Sequence, residues 1–284
     1  MKKLFIGLYS IFFQEGIKNY IVRKRKTRKL KGNKWFTIKY KGKKIKILLR
    51  EKNGYVDNFI YQNGIYEETL IDSIVEHLGP NSTFVDIGAN IGQHSLVVSQ
   101  FCKKVIAFEP LSFLVEQIQE SISANKISNI EIRKLGLGDT KGEKDIYIDP
   151  NQSGYSTLLN HLKEVDGFSK NPEVVGNQLI SIDLMDNQLL DTEVSVIKMD
   201  IEGYEYYAFL GGIKTLRKHK PVVILEFSNM FYENLEKGLS EKFFNLIKEL
   251  NYKVFSIDRK VELKSIKDVL MNQKQENILL IPSN

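Results

Sequence analysis

From Ser82 onward the chain alternates short apolar runs of strand character with longer amphipathic runs of helical period, and no other feature constrains its fold as much. Strands are predicted at 83–87, 104–108, 130–137, 194–199, 222–227, 253–257 and 277–281, with a further extended piece at 145–148. Helices are predicted at 91–101, 112–125, 205–217 and 239–250. Such alternation builds an α/β domain: a mostly parallel sheet of seven strands with helices on both faces. In sheets of this kind ligands sit at the carboxyl ends of the strands, where the strand order reverses. The residues just after each strand are therefore the ones to interrogate. The irregular stretch 151–178 is predicted to be a long, functional loop.

Charge is distributed unevenly. Residues 1–50 hold 17 Lys and Arg against one acid, Glu15, whereas the rest of the chain holds 24 against 34 acids. The net +6 therefore belongs to the N-terminus. Residues 4–13 are uncharged but only half as long as the ~20 residues that span a bilayer. A basic cluster follows from Arg23 to Lys31. This combination fits a helix with a solvated basic face, or peripheral contact of residues 1–34 with an anionic membrane surface; nucleic acid is the less favoured partner. Residues 35–50 alternate apolar and basic side chains around Lys41-Gly42-Lys43, which predicts a β-hairpin. A helical stripe (Leu70, Ile71, Ile74, Val75, Leu78) ends at Gly79-Pro80. The expected division is a basic N-terminal segment, helix plus hairpin, over 1–57 and a main domain over 58–284. The single Cys102 forbids an intrachain disulfide and points to a reducing, cytoplasmic setting.

The first strand runs into Asp86-Ile87-Gly88-Ala89-Asn90-Ile91-Gly92. It lacks the G-x-G-x-x-G spacing of a dinucleotide site, which counts against a nicotinamide oxidoreductase. The carboxylate ahead of the first glycine suits a ligand with a positive centre, such as S-adenosylmethionine with its ammonium and sulfonium. The second strand ends at Glu109-Pro110, 21 residues beyond Gly88, where a carboxylate accepts from ribose hydroxyls. The third ends in Gly136-Leu137-Gly138-Asp139, whose Asp139 is placed to accept from an adenine amino group or simply to make a turn.

These motifs, with Lys198-Met199-Asp200-Ile201-Glu202-Gly203-Tyr204-Glu205, resemble the signatures of the FkbM family of S-adenosylmethionine-dependent methyltransferases. The likeness extends to Tyr66-Glu67, to Ser181-Ile182-Asp183-Leu184 and to Leu225-Glu226, and covers about 58–227. It implies a Rossmann-like class I methyltransferase fold and O-methylation of a glycan, glycolipid or related hydroxyl. It further implies that Asp86, Gly88 and Asn90 line the methionine part of the cofactor, that Glu109 holds the ribose, and that Gly138 and Asp139 border the adenine. Glu67 joins this cofactor-binding set. The adenine is expected to stack near Leu111 or Leu137, and a Cβ at Gly88 to enter the cofactor's space.

Asp200 and Glu202 follow the fourth strand two positions apart, so both reach one face. Paired carboxylates raise one partner's pKa, which suits a general base; the same pair suits the cofactor ammonium, Mg²⁺ held with a substrate oxygen, or a helix N-cap. No His or Cys spacing of a zinc site appears. His94 and His161 are weaker candidates for the base, while His77 and His219 are expected at helix ends. Tyr204, Tyr206 and Tyr207 are expected to pack. Asp-Ile-Glu-Gly after the fourth strand replaces the Pro-Pro-aromatic run of nucleobase N-methyltransferases. RNA ribose methylation and a catalytically inactive binding scaffold are the alternatives.

Overall fold

In the computed structural model the described residues are 29–148, 176–270 and 275–283. The expected helix near the N-terminus and His161 lie outside them, as does most of the expected long loop. The first element is the hairpin β1 (Lys34–Tyr40) and β2 (Lys43–Leu49), paired antiparallel with Ile38 opposite Ile45. Lys41 and Gly42 both take positive φ, 40° and 79°, the conformation a two-residue hairpin turn demands. One face of the hairpin buries Ile38, Tyr40, Ile45, Ile47 and Leu49 in the core. The edge of β2 is tied to the helix at Ser112–Asn125: Ser121 Oγ accepts from Leu48 N–H and Gln117 Nε2 donates to Leu48 O. Helices α1 (Tyr55–Asn63) and α2 (Glu68–Glu76) follow; α1 has no counterpart among the expected elements.

Next come β3 (Thr83–Ile87), α3 (Gln93–Val98), β4 (Lys104–Phe108), α4 (Ser112–Asn125) and β5 (Ile130–Arg133). The third expected strand does not run on to residue 137. It stops at Arg133, and Gly136–Gly138 forms β6 of a separate sheet with β7 (Gly142–Ile148) and β8 (Gly176–Leu184), in the order β6-β8-β7. Residues 176–178 are therefore strand, a correction to the loop expected there. The short helix α5 (Met185–Leu189) leads to β9 (Val196–Met199). The single helix expected at 205–217 is two, α6 (Glu205–Leu210) and α7 (Ile213–His219). Gly211 breaks it because the chain passes so close to β6 that a Cβ there would stand 1.9 Å from Gly138 O. The chain ends with β10 (Val222–Ser228), α8 (Asn229–Leu235), α9 (Leu239–Glu249), β11 (Tyr252–Ser256), β12 (Glu262–Leu263), α10 (Ile266–Leu270) and β13 (Gln275–Pro282).

The main sheet has the order β12-β11-β13-β10-β9-β3-β4-β5, one short edge strand more than the seven expected. From β10 to β5 neighbours are parallel; β13 pairs antiparallel with both β10 and β11. Alternate residues feed two cores. Val85, Ile87, Ile197, Met199 and Leu225 pack with Phe209, Leu216 and Phe243 on one face. Phe84, Val105, Val196 and Ile224 pack with Ile71, Leu96, Leu114 and the hairpin on the other. That two-sided burial explains why these strands read as continuous apolar runs. Chain order reverses between β3 and β9, so the crevice lies at their carboxyl ends. Among the described residues no helix is long and apolar enough to cross a membrane.

Candidate active site at the carboxyl rim of the sheet

One cavity opens above the ends of β3, β4 and β9, with about 930 Å³ of empty space including its mouth. Its floor is the turn after β3. Gly88 N–H and Ala89 N–H both donate to Phe108 O at 3.0 Å, binding that turn to β4. Gly88 has φ 79°, and a Cβ on it would stand 2.0 Å from Asp200 O. The backbone after β9 thus leaves no room for a side chain at Gly88. Gly92, also at φ 79°, lets α3 close on Ile118 of α4.

Glu109 lies at the centre of the cavity wall. Only 4 % exposed, it accepts from Asn90 N–H at 2.8 Å and Leu111 N–H at 3.0 Å. Burial pushes its carboxyl up to about 7 despite those two donors. Beyond it the wall is apolar, with Phe108, Leu111, Leu135, Leu137, Ile146 and Ile180. Both Leu111 and Leu137, between which sequence could not choose, are lining residues.

The opposite wall is charged. Lys198 is buried in β9; its Nζ donates to Gly88 O at 2.9 Å and lies 3.6 Å from Asp86 Oδ1 and 3.5 Å from Asp200 Oδ2. Burial works against the ammonium, but the carboxylates of Asp200, Asp86 and Glu67 outweigh it and raise its pKa. Glu205, buried at the start of α6, accepts from Ile201 N–H, Gly203 N–H and Tyr232 O–H. It thereby shapes the loop that presents Asp200 and Glu202; burial raises its own carboxyl to about 7. Glu226, near the end of β10, completes a group of three carboxylates with Asp200 and Glu202, whose oxygens lie within 4.8 Å of one another. Burial and then the neighbouring carboxylates hold Glu202 and Glu226 well above the usual range.

Over the same rim, Gln93 exchanges hydrogen bonds with the Tyr66 backbone, 2.7 Å from Tyr66 N–H and 2.8 Å to Tyr66 O. Glu67 follows, its Oε2 3.6 Å from His94 Nε2. Burial, then Asp200, raises Glu67 to about 7, and burial followed by Lys198 lowers His94 to about 4, so the imidazole is neutral at physiological pH. Glu67, Asn90 and Glu202 all hold left-handed backbone, at φ 49°, 52° and 53°. Strained non-glycine residues of this kind concentrate at functional sites.

Of the residues read from sequence, Gly88, Asn90, Glu109, Asp200 and Glu202 line the cavity, and Glu67 borders it through His94. Asp86 does not line it. Fully buried behind the wall, it accepts from Ser95 Oγ at 2.6 Å and neutralises Lys198. Gly138 and Asp139 also stand outside the lining; a Cβ on Gly138 would press on Ile182 and Tyr204. Tyr204 lines the cavity and stacks on Tyr207 at 4.7 Å. His77 Nδ1 lies 2.8 Å from Ser73 O and His219 Nε2 2.8 Å from Leu190 O, both at helix ends as expected. Lys198 and Glu226 were not expected as site residues. A lysine inside the apolar run Val196-Ile197-Lys198-Met199 was the available signal.

Two buried polar atoms on lining residues, Asn90 Oδ1 and His94 Nε2, lack a hydrogen-bond partner. Buried polar groups are normally satisfied, so a cavity bordered by such atoms is built for a polar ligand. Carboxylates at one end, a carboxyl in the middle and an apolar wall at the other match the ammonium, ribose and adenine of S-adenosylmethionine. Fold and cavity together define a Rossmann-like class I methyltransferase.

Residues 86–257 match the Methyltransferase FkbM domain family, and the chain belongs to it. S-adenosylmethionine is accordingly the cofactor. The chain is 33% identical over 91 residues, 31% of its length and 34% of the relative's, to a probable ribosomal RNA small subunit methyltransferase A of Methanosphaera stadtmanae. It is 24% identical over 203 residues, 68% of its length and 80% of the relative's, to the hexuronic acid methyltransferase AglP of Haloferax volcanii. Among solved structures, a methyltransferase FkbM of Methylobacillus flagellatus overlaps 93% of this chain and 58% of its own, at 13% identity and TM-score 0.44.

Proposed function

We propose that the protein transfers the methyl group of S-adenosylmethionine to a hydroxyl of a glycan, glycolipid or related metabolite. Bound in the cavity, the cofactor supplies an electrophilic methyl group. Asn90, Glu67 and Asp200 hold its methionine portion, Glu109 accepts from the ribose hydroxyls, and the wall formed by Leu111, Leu135 and Leu137 covers the adenine. Asp86 acts from behind, by fixing Lys198. The acceptor hydroxyl sits against Asp200 and Glu202 at the mouth. One of these carboxylates would take the proton of the acceptor hydroxyl as that oxygen receives the methyl group.

The observation that carries this reading is the pairing of Asp200 with Glu202 on the rim of the cavity that Glu109 walls. Burial and then the neighbouring carboxylates raise Glu202, which makes its ionised form a stronger base. The AglP relative, a hexuronic acid methyltransferase, supports a sugar as acceptor. A cytoplasmic location goes with this proposal.

The test is methyl transfer from labelled S-adenosylmethionine to a panel of glycans and nucleotide sugars, with binding of S-adenosylhomocysteine followed by calorimetry. Asp200→Asn and Glu202→Gln are expected to cut turnover by about 10²- to 10⁴-fold. Wild-type turnover in both would remove their assignment. Transfer to RNA ribose with no transfer to any glycan would replace the acceptor.

A further inference from the structure

The hairpin shows its apolar side to the core and something different to solvent. Trp35, Thr37 and Lys39 of β1 alternate outward; Thr37 and Lys39 stand opposite the exposed Lys46 and Lys44 of β2, and Trp35 opposite the buried Leu48. Trp35, the chain's single tryptophan, is 51% exposed. Lys39, Lys44 and Lys46 are exposed, as is Lys43 beside the turn. None of these four lysines has an acidic partner among the described residues; the nearby pair Lys41–Asp72 leaves them untouched. The acids bordering this face are Glu116 and Glu120 of α4, beside Trp35, and Glu120 is engaged by Arg50 at 2.8 Å.

Lys39 stands directly opposite Lys44. Like charges so placed across a strand pair weaken it, and here no carboxylate offsets the repulsion. Edge lysines deter unwanted strand pairing, but that role requires neither a facing lysine nor an exposed indole. An indole beside unpaired ammonium groups matches a membrane–water interface. There the ring lies at headgroup depth, the lysine stems extend along the apolar boundary and the charges meet phosphate. In sequence, the seven cations between Arg23 and Lys31 and the uncharged run 4–13 lead into this face, supplying the paired signals that reversible attachment needs.

We infer that the outer face of the β1–β2 hairpin, Trp35 with Lys39, Lys44 and Lys46, rests on an anionic phospholipid surface. The single tryptophan makes the contact directly readable. The full chain is mixed with vesicles of phosphatidylcholine, with and without phosphatidylserine, while emission and co-sedimentation are followed. Expected are a blue shift of emission and sedimentation with the anionic vesicles alone, both reversed by high salt. A variant carrying K39Q, K44Q and K46Q is expected to bind on the order of 100-fold more weakly, with thermal unfolding held or raised because all three side chains are exposed and the Lys39–Lys44 repulsion is gone.

Three results would overturn the inference. Vesicle binding with no change in Trp35 emission and no loss in the triple variant would assign attachment to another part of the chain. Retention by a mixed-sequence oligonucleotide with vesicles ignored would make the partner nucleic acid. Binding to neither would leave these lysines as solvated edge residues.

Discussion

Replacing Lys198 by Met would separate its charge from its bulk. The methionine keeps most of the stem's volume within β9, so the change is chiefly electrostatic. What remains is Asp86, fully buried, with the Ser95 hydroxyl donating to it and no cation at 3.6 Å; Gly88 O also loses its donor. Breaking a buried pair by removing one partner costs about 3–5 kcal/mol. At roughly 2–4 °C per kcal/mol for a domain near this size, unfolding should fall by about 10 °C. Thermal unfolding by circular dichroism measures the loss. The double variant K198M/D86N, with both charges gone, should recover at least about 1.5 kcal/mol relative to additivity. A single variant that loses less than about 1 kcal/mol, or a double variant whose effects simply add, would refute the claim that this pair holds β3 and β9 together.

Gly88→Ala and Gly42→Ala start from the same φ of 79°, yet a Cβ meets Asp200 O at 2.0 Å in the first and nothing within 4 Å in the second. Urea midpoints should show a loss of about 1 kcal/mol at Gly42 and about 3 kcal/mol at Gly88; equal losses would deny the close approach. Glu67, Glu109 and Glu205, all raised to about 7, retain protons in the folded chain that unfolded glutamates release near 4.5. Their stabilisation is full below about 4.5 and disappears as pH rises through 7. His94, lowered to about 4, opposes them with a single proton. The cofactor-free protein should therefore melt at a higher temperature at pH 5.5 than at pH 7.5, and the reverse order would contradict the burial described. Glu109→Gln should weaken S-adenosylhomocysteine binding about 10- to 100-fold by calorimetry at pH 8, with the melting temperature of the free protein held or raised.

Sequence carried the architecture well where local pattern and tertiary environment agree. Thr83–Ile87 and Ser112–Asn125 fall at the bounds expected for them, because both-face burial and amphipathic period leave plain marks. The small sheet of β6, β7 and β8 was missed for a physical reason. Gly136-Leu137-Gly138 has no alternation, and its partner Ile182 lies 46 residues beyond Gly136. The break between α6 and α7 depends on Gly211 passing Gly138 O, a contact visible only in three dimensions. In the site, the identities of Asp86, Gly88, Asn90, Glu109, Asp200 and Glu202 were legible, but side-chain direction was not. Asp86 turns toward Lys198 and away from the cavity. Glu226 joined the carboxylates only once β10 was placed beside β9.

The left-handed backbone at Glu67 and Glu202 carries a further implication for anyone improving the protein. At both positions glycine would relax the chain by about 1 kcal/mol while deleting a carboxylate from the rim. Selection for heat resistance alone would drift toward E67G and E202G and arrive at sturdier variants stripped of two acids at the rim. A search scored on retained cofactor binding should keep both acids and find its gains elsewhere.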